Sequence, residues 1–245
     1  MFNFNIIKLD ATTSSNDWLK DRFLSGDCVD GDVIWVKNQT QGRGQRNKVW
    51  ETNPGKNLTF SLFKQFSNLT VKNSFLINCA VSLSIVEAIN DLIGIDLKLK
   101  WPNDILSGRN KIGGVLIENM VKGAHIVNSI IGIGINVNQK HFEGLPFASS
   151  LLLKTGEKIE IRDLLEGILK SLPVYFEKLL CNEGAWLLKK YELTLFLKGK
   201  TSLFVDDSES FEGIILGVTE NGLLRVQKPS GEIFEYSHGA IQMVY

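Results

Sequence analysis

The chain has little cysteine, little histidine and no surplus of either charge. Three cysteines (Cys28, Cys79 and Cys181) and three histidines (His125, His141 and His238) are scattered through 245 residues. No CxxC pair occurs, so neither a disulfide framework nor a zinc site is expected. The thiols read as reduced structural residues of a cytoplasmic protein. Lys plus Arg equals Asp plus Glu at 27 each. A general nucleic-acid binder carries a positive excess, so that class is disfavoured and no DNA partner is expected. The N-terminus, "MFNFNIIKLDATTSSND", has neither a basic start nor an apolar stretch of signal-peptide length. No window is expected to reach the roughly 18 apolar residues of a membrane span. Low-complexity tracts and clear repeats are absent. So is a GxxxxGK[ST] loop, which excludes the usual triphosphate cradle.

What is present suits a globular protein with a full core: 44% hydrophobic and 22% charged residues. Ser14 and Asp17 have capping-box spacing, with Trp18, Leu19 and Phe23 as the apolar face of a helix over 12–23. "DVIWV" (32–36) and "NLTFSLF" (57–63) read as strands, and 71–93 as a largely buried helix. The stretches 95–101, 112–121 and 125–138 are β-rich with glycine breaks. Residues 159–197 carry helical spacing, and Pro173 argues against one unbroken rod. From Lys198 the pattern changes to short alternating segments with turns such as "ENG" and "PSG". The expected fold is α+β. A mixed, mostly antiparallel sheet packs on helices in a larger domain of residues 1–197, and 198–245 form a small SH3-like β-barrel.

Three polar segments interrupt this framework. "TQGRGQRNKVW" (40–50) is basic, and no acid occurs between Asp32 and Glu51. Gly42 and Gly44 allow positive φ and close backbone approach. Arg43 can fork two donors onto an anion, Arg46 and Lys48 add charge, and Trp50 can stack on a ring. A mobile hairpin loop that binds nothing would carry the same composition. "KWPNDIL" (100–106) reads as a turn after a buried strand, and Lys111 then opens a strand beside Gly113 and Gly114. In "GIGINVN" (132–138), Gly132 and Gly134 mark close approach by a ligand or another chain segment, and Asn136 and Asn138 share a face. An ATP user without the usual cradle needs a cationic loop and an isolated lysine. Forcing a carboxylate to ~4 Å from an α-phosphate costs about 4 kcal/mol at an effective dielectric near 20. Arg43 and Lys111 are groups that offset such repulsion, but they do not choose the acid.

"SSND", "QTQGRGQRNKVW", "GKNLTFSL", "KWPNDIL", "KIGGVLIE" and "GIGINVN", in that order, resemble the biotin–protein ligases over roughly residues 9–140. The small C-terminal β-domain is also as in that family. The resemblance implies two steps. Biotin and MgATP give biotinyl-5′-AMP and pyrophosphate, and a lysine of a biotin carboxyl carrier domain then attacks the mixed anhydride. It implies Lys111, Arg43 and Asp104 as catalytic residues. It implies biotin contacts from Ser14, Ser15, Asn16, Gln39, Gly42, Arg43, Gly44, Gln45, Lys111, Gly113 and Gly114. The ATP contacts are Arg43, Lys48, Trp50, Asn103, Lys111 and Asn136, with no Mg²⁺ ligand assigned.

The catalytic pattern starts by about residue 10, so a short form without the DNA-binding domain of some members is expected, as monomer or homodimer. The chain departs from the family at Gln45, where Arg is frequent and helps retain the adenylate, and at Asn47, where Gly is frequent. Two rival readings are a lipoate–protein ligase and a non-catalytic biotin sensor. The polar "SSN" block and Gln39 favour a ureido ring over a plain acyl chain.

Overall fold

"NLTFSLF" alternates, and the alternation decides where the helices go. In the structure, a computed structural model that describes residues 3–207 and 209–244 (Asn47 by its backbone alone), this segment lies at the heart of a seven-stranded sheet. The elements run β1 (Asn5–Thr12), α1 (Ser15–Leu24), β2 (Asp32–Gln39), β3 (Asn57–Thr70), α2 (Ser74–Ile93), β4 (Lys98–Lys100) and β5 (Asp104–Ser107). Then follow β6 (Asn110–Lys122), β7 (His125–Asn136), α3 (Leu151–Thr155), α4 (Ile161–Leu180) and α5 (Gly184–Thr194). The sheet order is β1-β2-β3-β7-β6-β5-β4, parallel only between β1 and β2. The expected mixed, mostly antiparallel sheet is therefore present.

Leu58, Phe60 and Leu62 of β3, with Ile131, Ile133 and Ile135 of β7, form one face. They pack in a single core with α2 and α4, including Ile77, Ile85, Leu172 and Phe176. Phe63 and Ile130 point the other way and join Leu19 of α1, Ile34 and Val36 in a second, smaller core. Ser14 caps α1 by accepting from the Asp17 amide at 3.4 Å, as its spacing predicts.

Several details depart from expectation. Residues 71–93 are long and apolar enough for a membrane span by length and composition, contrary to the sequence reading. They form mainly α2, most of whose apolar residues are packed in the protein core. The stretch 159–197 does contain two helices, but α4 continues through Pro173. It ends at Leu180, two residues before Asn182, whose φ of 58° is left-handed. The buried face of α4 sustains it across the one backbone hydrogen bond that proline removes.

The C-terminal strands are β8 (Thr201–Asp206), β9 (Ser210–Val218), β10 (Leu224–Gln227), β11 (Ile233–Tyr236) and β12 (Ile241–Val244). They form an antiparallel sheet of order β11-β10-β9-β8-β12. Among the described residues no pairing joins β11 to β12, so the sheet pairing alone does not close these strands into the SH3-like barrel expected.

Truncating Phe60, fully enclosed between sheet and helices, should cost about 3–5 kcal/mol as Phe60→Ala in chemical denaturation. Val174→Ala, on the exposed side of α4, should change stability by less than about 0.5 kcal/mol.

Candidate active site

The face of the sheet that carries α1 also carries the polar residues. On β3, Asn57, Thr59 and Ser61 alternate with the core leucines and phenylalanine. On β7, Gly132, Gly134 and Asn136 alternate with the core isoleucines. A cavity of about 590 Å³ opens above this face, within the size range of ligand pockets. Its floor is a buried polar chain. The Ser15 amide donates to Gln39 Oε1 at 2.7 Å. Ser61 Oγ lies 2.6 Å from Ser15 Oγ and 2.5 Å from Asn16 Oδ1. With its single hydrogen it donates to Asn16 and accepts from Ser15. Asn16 Nδ2 donates to Glu118 Oε2 at 2.7 Å. Gly132 makes room for this asparagine, since a Cβ there would meet its amide group.

Lys111 is aimed by an irregularity. Gly113 pairs with Ile105 and Lys111 with Leu106, leaving Ile112 as an extra residue in β6. Strict alternation would put Lys111 on the core side with Gly113 and Val115; the bulge turns it to the cavity side with Gly114 and Leu116. Its ammonium crosses the bare Gly114, 3.5 Å from where a Cβ would stand, and ends 2.5 Å from Asp104 Oδ1. Its backbone is clamped as well, through Lys111 N to Phe147 O (2.7 Å) and Ser149 N to Lys111 O (2.9 Å).

The turn before Asp104 is equally fixed. Asn78 Nδ2 of α2 and the Tyr191 hydroxyl of α5 both donate to the Pro102 carbonyl, at 2.6 and 2.9 Å. Asn103 Nδ2 donates to Val115 O at 2.7 Å, and Trp101 Nε1 to Gly222 O of the C-terminal sheet at 3.0 Å.

The basic loop is a small folded hairpin. Trp50 N bonds to Gly42 O (2.8 Å) and Gly44 N to Lys48 O (2.6 Å), around a 3₁₀ turn over Gln45–Asn47. Gly42 and Gly44 do not take positive φ as expected; the left-handed residue is Arg46, at φ 55°. Gly42 is needed for close approach, because a Cβ there would meet the Trp50 carbonyl. The Trp50 ring lies over Gly134, with the Lys111 ammonium 5.8 Å from its centroid. Its buried Nε1 has no hydrogen-bond partner. Arg43 is held by Asp17 at 2.5 Å and Glu118 at 3.0 Å.

The cavity thus gathers Ser14, Ser15, Asn16, Gln39, Arg43, Gly44, Gln45, Lys48, Trp50, Asn103, Asp104, Lys111, Gly114 and Asn136. Of the residues singled out in the sequence, Gly42 lies beneath the loop. Gly113 faces the core, 2.5 Å from Ile135 by the Cβ it lacks. Asn138 is tied to the Ile159 backbone and does not line the cavity. The Asn47 side chain lies outside the described residues.

The family model for the biotin/lipoate A/B protein ligase family matches residues 9–136, more than half the chain. The chain belongs to that family. Among its relatives is the bifunctional ligase/repressor BirA of Bacillus subtilis, 26% identical over 222 residues, covering 89% of this chain and 68% of that protein. Another is the biotin–[acetyl-CoA-carboxylase] ligase of Mycobacterium tuberculosis, 32% identical over 144 residues, 58% of this chain and 52% of that one. The biotin protein ligase of Aquifex aeolicus, solved in complex with biotin and ATP, superposes with a TM-score of 0.82. It is 26% identical, with 98% of each chain covered.

Set beside the family's motifs, the structure adds residues that the sequence reading passed over. Ser61 and Thr59 were visible as polar positions of one parity inside a buried strand. Glu118 closes the quoted "KIGGVLIE" and shares parity with Gly114 and Leu116. His238, Ile241 and Met243 reach the cavity from the C-terminal sheet, and nothing local in their sequence announces it. The His238 imidazole, edge-on to Trp101 at 5.9 Å, titrates below its ordinary 6.5. Partial burial is the main cause; Arg46 and Lys48 push the same way and Asp104 opposes them. Burial likewise lowers Lys100, with Asp104 opposing and Lys111 assisting.

Because the folded state favours neutral His238, the unfolded chain takes up the proton first as pH falls. Stability present above 6.5 is therefore lost as pH drops from there through the lowered folded value. His238→Gln should flatten that part of the stability–pH curve. Gly134→Ala should displace the Trp50 ring, shifting its indole NMR signal while the other four tryptophan signals stay in place.

Proposed function

We propose that the chain activates biotin with ATP as biotinyl-5′-AMP and transfers it to a lysine of a biotin carboxyl carrier domain. The observation that carries this reading is the Lys111–Asp104 pair, 2.5 Å apart, standing in one cavity with the polar floor of Ser14, Ser15 and Gln39. The floor offers hydrogen-bonding groups for a ureido ring. The cationic side suits the reacting carboxylate and α-phosphate.

In the first step a carboxylate oxygen attacks the α-phosphorus and pyrophosphate leaves. Lys111, with Arg43 from the loop, lowers the repulsion between the two anions and stabilises the crowded phosphorus. Trp50, Lys48, Asn103 and Asn136 form the nucleotide side; Asn136 Nδ2 is committed to Ser149 O at 3.1 Å, leaving its Oδ1 for a ligand. The loop from Gly42 to Lys48, including Gln45, covers the adenylate and reopens for the carrier.

In the second step Asp104, freed as Lys111 turns to the phosphate, accepts a proton from the acceptor ammonium. The amine attacks the acyl carbon, and the bond from that carbon to the AMP oxygen breaks. Among the described residues there is no cluster of three metal-ligating side chains. The triphosphate brings Mg²⁺ with phosphate and water ligands of its own, and no side chain of the chain is assigned to it.

The same reading assigns residues 1–197 as the catalytic domain and 198–245 as a cover, acting in the cytoplasm as monomer or homodimer. Its support is that the first sheet and its helices end at Thr194 and the second sheet begins at Thr201.

Purified protein given ATP should release pyrophosphate with biotin and not with lipoate or octanoate. Release with lipoate would transfer the reading to lipoate ligation, and binding without release would make the chain a sensor. Lys111→Ala or Arg43→Ala should lower that release by about 10²–10³-fold, with the melting temperature shifted by less than about 2 °C. Asp104→Asn should slow transfer to the carrier more than adenylate formation.

A further inference from the structure

We propose that Glu118 is a positioning residue that couples the pocket floor to the basic loop through one shared carboxylate. Glu118 follows Gly114 and Leu116 on the cavity side of β6, and its carboxylate sits where α1 meets the loop. Its Oε2 accepts from Asn16 Nδ2 at 2.7 Å and from Arg43 Nη2 at 3.0 Å; Oε1 takes the same guanidinium nitrogen at 3.2 Å. Asn16 is 3% exposed and its Oδ1 is taken by Ser61, so the floor end of this link is fixed. At the loop end, Arg43 is half exposed and shared with Asp17, so that end is weak enough in water to open. One carboxylate therefore does two separable things. As a hydrogen-bond acceptor it orients a floor residue, and as a charge it holds the loop over the cavity. A substrate carboxylate or phosphate that attracts Arg43 competes with Glu118 for it, and the released acceptor is felt at Asn16.

The two parts separate by substitution. Glu118→Gln keeps an oxygen for Asn16 Nδ2 and removes the charge that holds Arg43; Glu118→Ala removes both. The experiment is limited trypsin digestion of the ligand-free full chain, following cleavage within residues 43–48. Biotin affinity by calorimetry and melting temperature are measured on the same samples. Both variants should be cut in the loop about fivefold faster than wild type. Glu118→Ala alone should bind biotin about tenfold more weakly, with Glu118→Gln within about threefold of wild type.

Unchanged loop cleavage in both variants would overturn the proposal. So would equal loss of biotin affinity in both, or a fall in melting temperature large enough to account for the faster cleavage. The affinity arm rests on the biotin reading given above. Wild-type protein that bound no biotin would overturn that reading, while the cleavage rates, taken without ligand, still decide the role of Glu118.

Discussion

A strand buried on both sides must satisfy two different environments with one backbone. The three central strands, β3, β7 and β6, do this by strict parity. Beside the cavity, Leu58, Phe60, Leu62, Ile131, Ile133 and Ile135 face α2 and α4, while Thr59, Gly114, Gly132, Gly134 and Asn136 face the cavity. The apolar face holds the sheet rigid. The polar face can then afford small and hydrogen-bonding residues that add little packing of their own. A register slip of one residue between β3 and β7 would exchange the two faces and remove both the core and the cavity.

The break in that parity at Ile112 is productive. The extra residue Ile112 sends both Ile112 and Gly113 to the core side and brings Lys111 round to the cavity beside Gly114. The lysine then meets Asp104 from the neighbouring strand. Each partner offsets the other's desolvation, so two charges can stand at the edge of a cavity without either being stranded. The glycines serve the same geometry by different means. Gly132 yields to Asn16, Gly134 to the Trp50 ring, and Gly42 to the Trp50 carbonyl. In each case the space is filled by the chain's own side chain or backbone.

Much of this was legible in the sequence. The strand at "DVIWV" follows from its β-branched and aromatic run and that at "NLTFSLF" from its alternation, α1 follows from Ser14 and Asp17, and the gathering of Lys111, Arg43 and Trp50 from their motifs. What was not legible depended on contacts distant in sequence. Asn136 and Asn138 share a sequence parity, yet one lines the cavity and the other braces the backbone of Ile159. Pro173 has a sequence-level reason to stop a helix, and the buried face of α4 overrides it. The two glycines of the basic loop suggest positive φ, but the strained position falls on Arg46, because the hairpin's hydrogen bonds fix the residues on either side. The contribution of the C-terminal sheet to the cavity depends on how two sheets meet, which no local pattern encodes.

The Pro102 carbonyl carries a further consequence. A backbone oxygen cannot be mutated away, and this one is served by two donors from different helices, Asn78 of α2 and Tyr191 of α5. Loss of either side chain leaves the other in place, so the turn that presents Asn103 and Asp104 has built-in redundancy. Tyr191 is also fully enclosed in the core, so one side chain ties the turn to the packing beneath it.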